Sequence, residues 1–171
     1  MRNIFLIGFM GCGKSTVAVE LQNLYRMQVR EMDQMIVDRA QMSIPQIFEK
    51  YGEGYFRDLE SKLLKEIGAD SNQVVSCGGG VVLRQENVLE MKQSGNIVLL
   101  TAKPETILAR VLEDNNRPIL QGKKTVKDIS ELMEKRREKY EMAADIVLET
   151  DDKSIQEICE EVINKLAKIG E

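Results

Sequence analysis

A continuous apolar run, Ile4-Phe-Leu-Ile7, stops at Gly8 and passes straight into Phe-Met-Gly-Cys-Gly13-Lys14-Ser15-Thr16. Residues 8–15 match the pattern GxxxxGK[ST], set after a strand-like run and before a helix-like stretch at 14–25, which is the context in which it folds as a phosphate-binding loop. The spacing has a physical reason. Glycines let successive backbone N–H groups turn inward around phosphate oxygens, and the helix that follows adds the positive end of its dipole. In such a loop Gly11, Cys12 and Gly13 contribute backbone, and Lys14 reaches the β and γ phosphates. Ser15 binds Mg²⁺ through its hydroxyl, and Thr16 contacts the α phosphate. An ordinary glycine turn is the bland alternative, and the flanking strand and helix weigh against it. Cys12 invites a nucleophile or redox reading, but the motif asks only for its backbone.

A strand that is apolar without alternation is buried on both faces, as in a parallel sheet. Gln73-Val-Val-Ser76, Asn96-Ile-Val-Leu-Leu-Thr101 and Asp145-Ile-Val-Leu-Glu149 share that character, and the more polar 28–32 is read as a fifth strand. Amphipathic stretches at 44–51, 54–67, 86–92, 104–112, 129–143 and 155–168 predict helices between them. The alternation implies an α/β fold, a three-layer α/β/α arrangement around a central five-stranded parallel sheet. A chain of 171 residues, 43% hydrophobic and without repeats or linkers, suits one domain spanning 1–171. The polar interruption Asp114-Asn-Asn-Arg-Pro-Ile-Leu-Gln-Gly-Lys-Lys124 is read as part of a mobile lid at about 112–124.

Composition excludes several functions. With 24 basic against 28 acidic residues, a net charge of -4 and no basic block, the chain is not built to follow a nucleic-acid backbone. Cys12, Cys77 and Cys159 are odd in number and widely spaced, which suits neither disulfides nor zinc and points to a reducing, cytoplasmic setting. The first twelve residues look superficially like a short signal peptide ending in a lipidated cysteine. The apolar run is too short for that, so no membrane partner is expected. Histidine is absent, which leaves carboxylates, lysine, arginine and metal to do any chemistry.

A phosphate-binding loop does not by itself separate kinases from GTPases or motor ATPases. A GTPase would carry an Asn-Lys-x-Asp base-reading motif, which this chain lacks. Beyond the loop the chain carries Asp38-Arg39-Ala-Gln-Met-Ser43-Ile44, Ile47-Phe48, Gly52-Glu53, Phe56-Arg57, Gly78-Gly79-Gly80, Arg117-Pro118 and Arg136-Arg137-Glu138-Lys139-Tyr140. In that order and spacing the chain resembles the shikimate kinase family of P-loop small-molecule kinases over residues 5 to about 166. The resemblance implies ATP-dependent phosphorylation of the shikimate 3-hydroxyl, a step of aromatic amino-acid biosynthesis, with Mg²⁺ as cofactor; a monomer is expected. It also implies a substrate-binding region at about 31–62.

Shikimate offers a carboxylate and three ring hydroxyls, so a site for it needs cations at one end and acceptors at the other. Asp33 is the best acceptor, able to take two hydroxyl hydrogens and to orient or deprotonate the attacking oxygen, and the family residue it matches does this. Without the resemblance, an isolated aspartate ending a strand is more often just a helix cap. Arg57 and Arg136 match family positions that bind the substrate carboxylate, for which a guanidinium fork is suited. Taken alone, Arg57 beside Asp58 and Glu60, and Arg136 beside Glu134 and Glu138, read equally well as solvated helix faces. Gly78, Gly79 and Gly80 permit close backbone approach, and the family sets the substrate ring there; a flexible turn is the alternative.

Arg117 in the lid is expected to bring positive charge onto the transferring phosphoryl group, and Arg110 resembles a family residue near the nucleotide base. Glu60 is read as a partner of Arg57 or of the closing loop. One departure stands out. The family has two aspartates separated by one residue, whereas this chain has Glu31-Met32-Asp33, so the carboxylate expected to support Mg²⁺, commonly through water, is one methylene longer. The competing readings are another small-molecule kinase, for gluconate or a nucleoside monophosphate, and a noncatalytic nucleotide-binding homologue.

Overall fold

The computed structural model describes residues 1–112 and 125–170. Five strands form one parallel sheet: β1 (Asn3–Ile7), β2 (Gln28–Glu31), β3 (Gln73–Ser76), β4 (Gly95–Thr101) and β5 (Ile146–Glu149), in the order β2-β3-β1-β4-β5. Every residue of β1 and β3 is buried. Phe5 pairs with Val75 on one side and Ile97 on the other, so the unbroken apolar runs are the middle of the sheet.

The helices among the described residues are α1 (Lys14–Tyr25), α2 (Met32–Ala40), α3 (Ile44–Tyr51), α4 (Glu53–Gly68), α5 (Gln85–Ser94), α6 (Pro104–Val111), α7 (Val126–Ala143) and α8 (Ile155–Ile169). The step from β1 to β2 runs one way along the sheet, and the later steps run the other way. Right-handed crossovers therefore put α1 on one face and the later crossover helices on the opposite face. Packing agrees: α1 lies on α8, α4 lies on α5, and α7 lies on β4. The direction reverses between β1 and β3, which opens a crevice beyond their carboxyl ends. At the other end Asn3 closes the sheet, donating to the Asp70 carbonyl at 2.8 Å and accepting the Gln73 N–H at 3.0 Å.

Three differences from the sequence reading have local causes. The expected strand at 28–32 ends at Glu31, because Met32 opens α2 with its side chain fully buried. Helix α2 itself was not expected. Only Met32 and Ile36 of its nine residues are buried, too few to show a helical period, and it stops at Gln41 in the left-handed region at φ 56°. Helix α7 starts at Val126 rather than 129, because the Thr125 hydroxyl caps it by accepting the Asp128 N–H at 3.1 Å. The lid expected at 112–124 lies outside the described residues except for Leu112, and so does Arg117.

Candidate active site

The loop after β1 wraps back over α1. Gly8 has φ 141°, and a Cβ there would strike the Leu100 carbonyl oxygen on β4; Gly13 has φ 97° as it hands the chain into α1. Neither position accepts a side chain without strain. The Lys14 ammonium lies across the loop and donates to the carbonyls of Gly8 at 2.7 Å and Phe9 at 3.2 Å. Arg110 on α6 donates to the Gly11 carbonyl at 2.8 Å, which ties that helix to the loop.

This loop forms one wall of a cleft of about 540 Å³ at the carboxyl ends of β1, β2 and β3. Gly11, Gly13, Lys14, Ser15 and Thr16 line it from the loop, and Arg110 from beside it. Glu31 and Asp33 face it from the end of β2 and the first turn of α2. Gly78, Gly79 and Gly80 line it after β3, Arg57 from α4 and Arg136 from α7. The exception is Cys12. Its side chain is buried against a second, more apolar cavity of about 320 Å³ behind the loop, and only its backbone belongs to the loop.

A buried ion pair forms the floor. Arg57 Nη1 donates to Glu60 Oε1 at 2.6 Å, and its Nε and Nη2 donate to Glu53 Oε1 at 3.4 and 3.1 Å. Glu60 is fully buried and Arg57 nearly so. Burial opposes charge on the guanidinium, but the Glu60 and Glu53 carboxylates outweigh it and hold Arg57 firmly protonated. For Glu60 burial is the larger effect: it raises the carboxyl above its ordinary range despite Arg57, and nearby Asp33 pushes the same way. Burial likewise raises the Cys77 thiol, which stays an inert, protonated core group.

The glycine turn is pressed between α4 and α7. A Cβ on Gly78 would sit 2.5 Å from Glu60 Oε2 and 2.9 Å from Asp33 Oδ1, and one on Gly79 would sit 3.2 Å from Arg136 Nη1. Glu60 Oε2 and Arg136 Nη1 are buried and have no hydrogen-bond partner among the described residues. An unspent acceptor and an unspent donor on a buried cleft wall are what a polar ligand would satisfy.

The donors suit a hard cation. Ser15 and Glu31 both line the cleft, and the Ser15 hydroxyl lies 3.4 Å from that of Ser76. Among the described residues no group of three or more Cys, Asp or Glu side chains forms a metal cage. Two protein oxygens beside a phosphate-binding loop fit Mg²⁺, which keeps waters and takes its remaining ligands from phosphates.

Sequence reasoning missed Tyr140, whose hydroxyl donates to the Gly79 carbonyl, and Phe48, which lines the cleft and meets the Phe56 ring edge-on at 5.2 Å. Tyr140 follows Arg136 by four residues, so a shared helix face was the available signal.

Comparison with known proteins converges on one family. A family model described as shikimate kinase matches residues 10–167. A shikimate kinase of Caldanaerobacter subterraneus is 39% identical over 169 residues, covering 99% of this chain and 98% of that one. A solved shikimate kinase from Acinetobacter baumannii, in complex with shikimate, superposes with a TM-score of 0.92 at 31% identity, covering 98% of this chain and 94% of the other. That of Aquifex aeolicus superposes with a TM-score of 0.83 at 37% identity and 98% coverage of both.

Proposed function

The chain belongs to the shikimate kinase family, and from that premise we propose how its own residues carry the reaction. The enzyme transfers the γ phosphoryl group of ATP to the 3-hydroxyl of shikimate, giving shikimate 3-phosphate and ADP, a step of aromatic amino-acid biosynthesis. The observation that carries the residue assignment is one cleft in which a phosphate-binding loop faces the buried Arg57 and the half-buried Arg136 across a glycine turn.

ATP phosphates are held by the backbone of Gly11, Cys12 and Gly13, by Lys14 and by Thr16, with Arg110 flanking the nucleotide. Lys14 exchanges the Gly8 and Phe9 carbonyls for phosphate oxygens. The region 31–62 supplies the substrate groups Asp33 and Arg57. Glu53 and Glu60 use three of the five Arg57 N–H groups, leaving one on each Nη nitrogen. Those two, with Arg136 Nη1, are the donors for the shikimate carboxylate. The ring lies against Gly78, Gly79 and Gly80, and Asp33 accepts the proton of the attacking 3-hydroxyl.

Ser15 directly, and Glu31 through water, would hold Mg²⁺, which when bound neutralises charge on the phosphates. Arg117, outside the described residues, would add positive charge at the transferring group, as the family resemblance implies. The protein's task is to position reactants in line and to shield them from water, with no covalent intermediate.

The working unit is one chain, a monomer of one domain, since all these groups come from the same protomer. It acts in the cytoplasm without nucleic acid or membrane: the net charge is -4, and no helix among the described residues is long and apolar enough to cross a membrane. Phosphorus NMR of chain, Mg·ATP and shikimate tests the reaction. A new phosphomonoester coupled to the proton on carbon 3 is expected; ADP appearing with inorganic phosphate alone overturns it.

A further inference from the structure

Tyr140 sits behind the site. It lines the apolar cavity on the far side of the phosphate-binding loop and does not line the cleft, yet its hydroxyl reaches through to the Gly79 carbonyl. Its ring is 4% exposed, and burial pushes the phenol up to about 12, so it remains a protonated donor across the range in which proteins are stable.

The peptide joining Gly79 to Gly80 is planar and trans, so its N–H points opposite to its carbonyl. With the Gly79 carbonyl drawn toward Tyr140, the Gly80 N–H faces away from that tyrosine, and Gly80 itself lines the cleft and packs on the Arg57 guanidinium. Among the described residues, none of the N–H groups of Gly78, Gly79 and Gly80 donates to a backbone carbonyl. A run of glycines has little stiffness of its own, and without an anchor this peptide would rotate at small cost. Arg136 lies one turn earlier on α7, with Nη1 beside Gly79, so a single helix holds the turn and presents a cation over it.

We propose that Tyr140 is a positioning residue for the acceptor substrate: by holding the Gly79 carbonyl it aims the Gly80 N–H at the substrate carboxylate beside Arg57. The proposal rests on the assignment of Arg57, Arg136 and the glycine turn to shikimate, and it adds a residue that touches neither substrate. Tyr140 acts on the acceptor side alone. The nucleotide side of the cleft is held by the loop after β1 and by Arg110, and among the described residues no hydrogen bond joins Tyr140 to it.

The test is steady-state kinetics of the full chain carrying Tyr140→Phe, with the melting temperature measured alongside. Tyr140→Phe removes the hydroxyl that holds the Gly79 carbonyl and also meets the Arg136 side chain, and is expected to raise the shikimate KM roughly five- to tenfold. The ATP KM and kcat should stay within about twofold, because nothing on the nucleotide side changes. A purely structural tyrosine would lower the melting temperature and shift both KM values together, and that result overturns the proposal; so does an unchanged shikimate KM. Arg136→Lys, measured in parallel, separates the two layers. If it leaves the shikimate KM unchanged, the site assignment itself has failed, whereas an effect of Arg136→Lys without one of Tyr140→Phe overturns only the role of the tyrosine.

Discussion

Gly80 and the Arg57 guanidinium are packed so closely that a Cβ at position 80 would overlap Nη1, Cζ and Nη2 together. The backbone there, at φ -103° and ψ 10°, is one that alanine adopts, so a side chain at this position displaces the arginine rather than straining the turn.

Gly80→Ala is therefore expected to act on the acceptor alone. Moving Arg57 off its fork should raise the shikimate KM by roughly tenfold or more, one charge-assisted hydrogen bond's worth, with the ATP KM unchanged. Kinetics with each substrate varied in turn checks this, and an equal rise in both KM values would contradict it.

The pair beneath that fork sets a stability prediction. Glu60→Ala leaves the Arg57 guanidinium buried, with only the largely exposed Glu53 carboxylate to answer it, and should cost roughly 3 kcal/mol in urea denaturation, as breaking one side of a buried pair does. The pH dependence has a definite sign. Burial raises the Glu60 carboxyl above its ordinary 4.5 in the folded chain, with Asp33 acting the same way and Arg57 and Arg136 against it. Protons then bind more tightly to the folded form, so the stability tied to this group is whole below pH 4.5 and is lost as the pH rises through the folded value. The urea midpoint of Glu60→Gln should lack that decline. Parallel curves for the two proteins would show that Glu60 titrates normally.

Much of the fold was legible because the buried strands are apolar on both faces and because the phosphate-binding loop depends on glycines at fixed positions. Gly8 and Gly13 are written into the chain by backbone angles that other residues avoid. Strand β2 is at the sheet's edge with no fully buried residue, so its sequence is polar and its end at Glu31 could not be read. The cleft was legible only in part. Asp33, Arg57 and Arg136 look like charges on solvated helices, since the glycine turn at 78–80 that packs against all three is far from them in sequence. Tyr140 ends the segment 136–140 that carries the family resemblance, but nothing in the sequence pointed to a role for it, because its partner Gly79 lies 61 residues away.

On the assignment of Glu31 to Mg²⁺, Glu31→Gln should raise the Mg²⁺ concentration needed for half-maximal turnover roughly tenfold, as outer-sphere partners of bound metals do. The shikimate KM at saturating Mg²⁺ should not move. Titrating Mg²⁺ at fixed ATP and shikimate checks both, and an unchanged Mg²⁺ requirement removes Glu31 from the site.

The most direct measurement is ADP production from Mg·ATP with and without shikimate, with gluconate and nucleoside monophosphates as alternative acceptors. Strong stimulation by shikimate alone is predicted. Stimulation by another acceptor, or turnover indifferent to all of them, would contradict the assignment of Arg57, Arg136 and the glycine turn to shikimate.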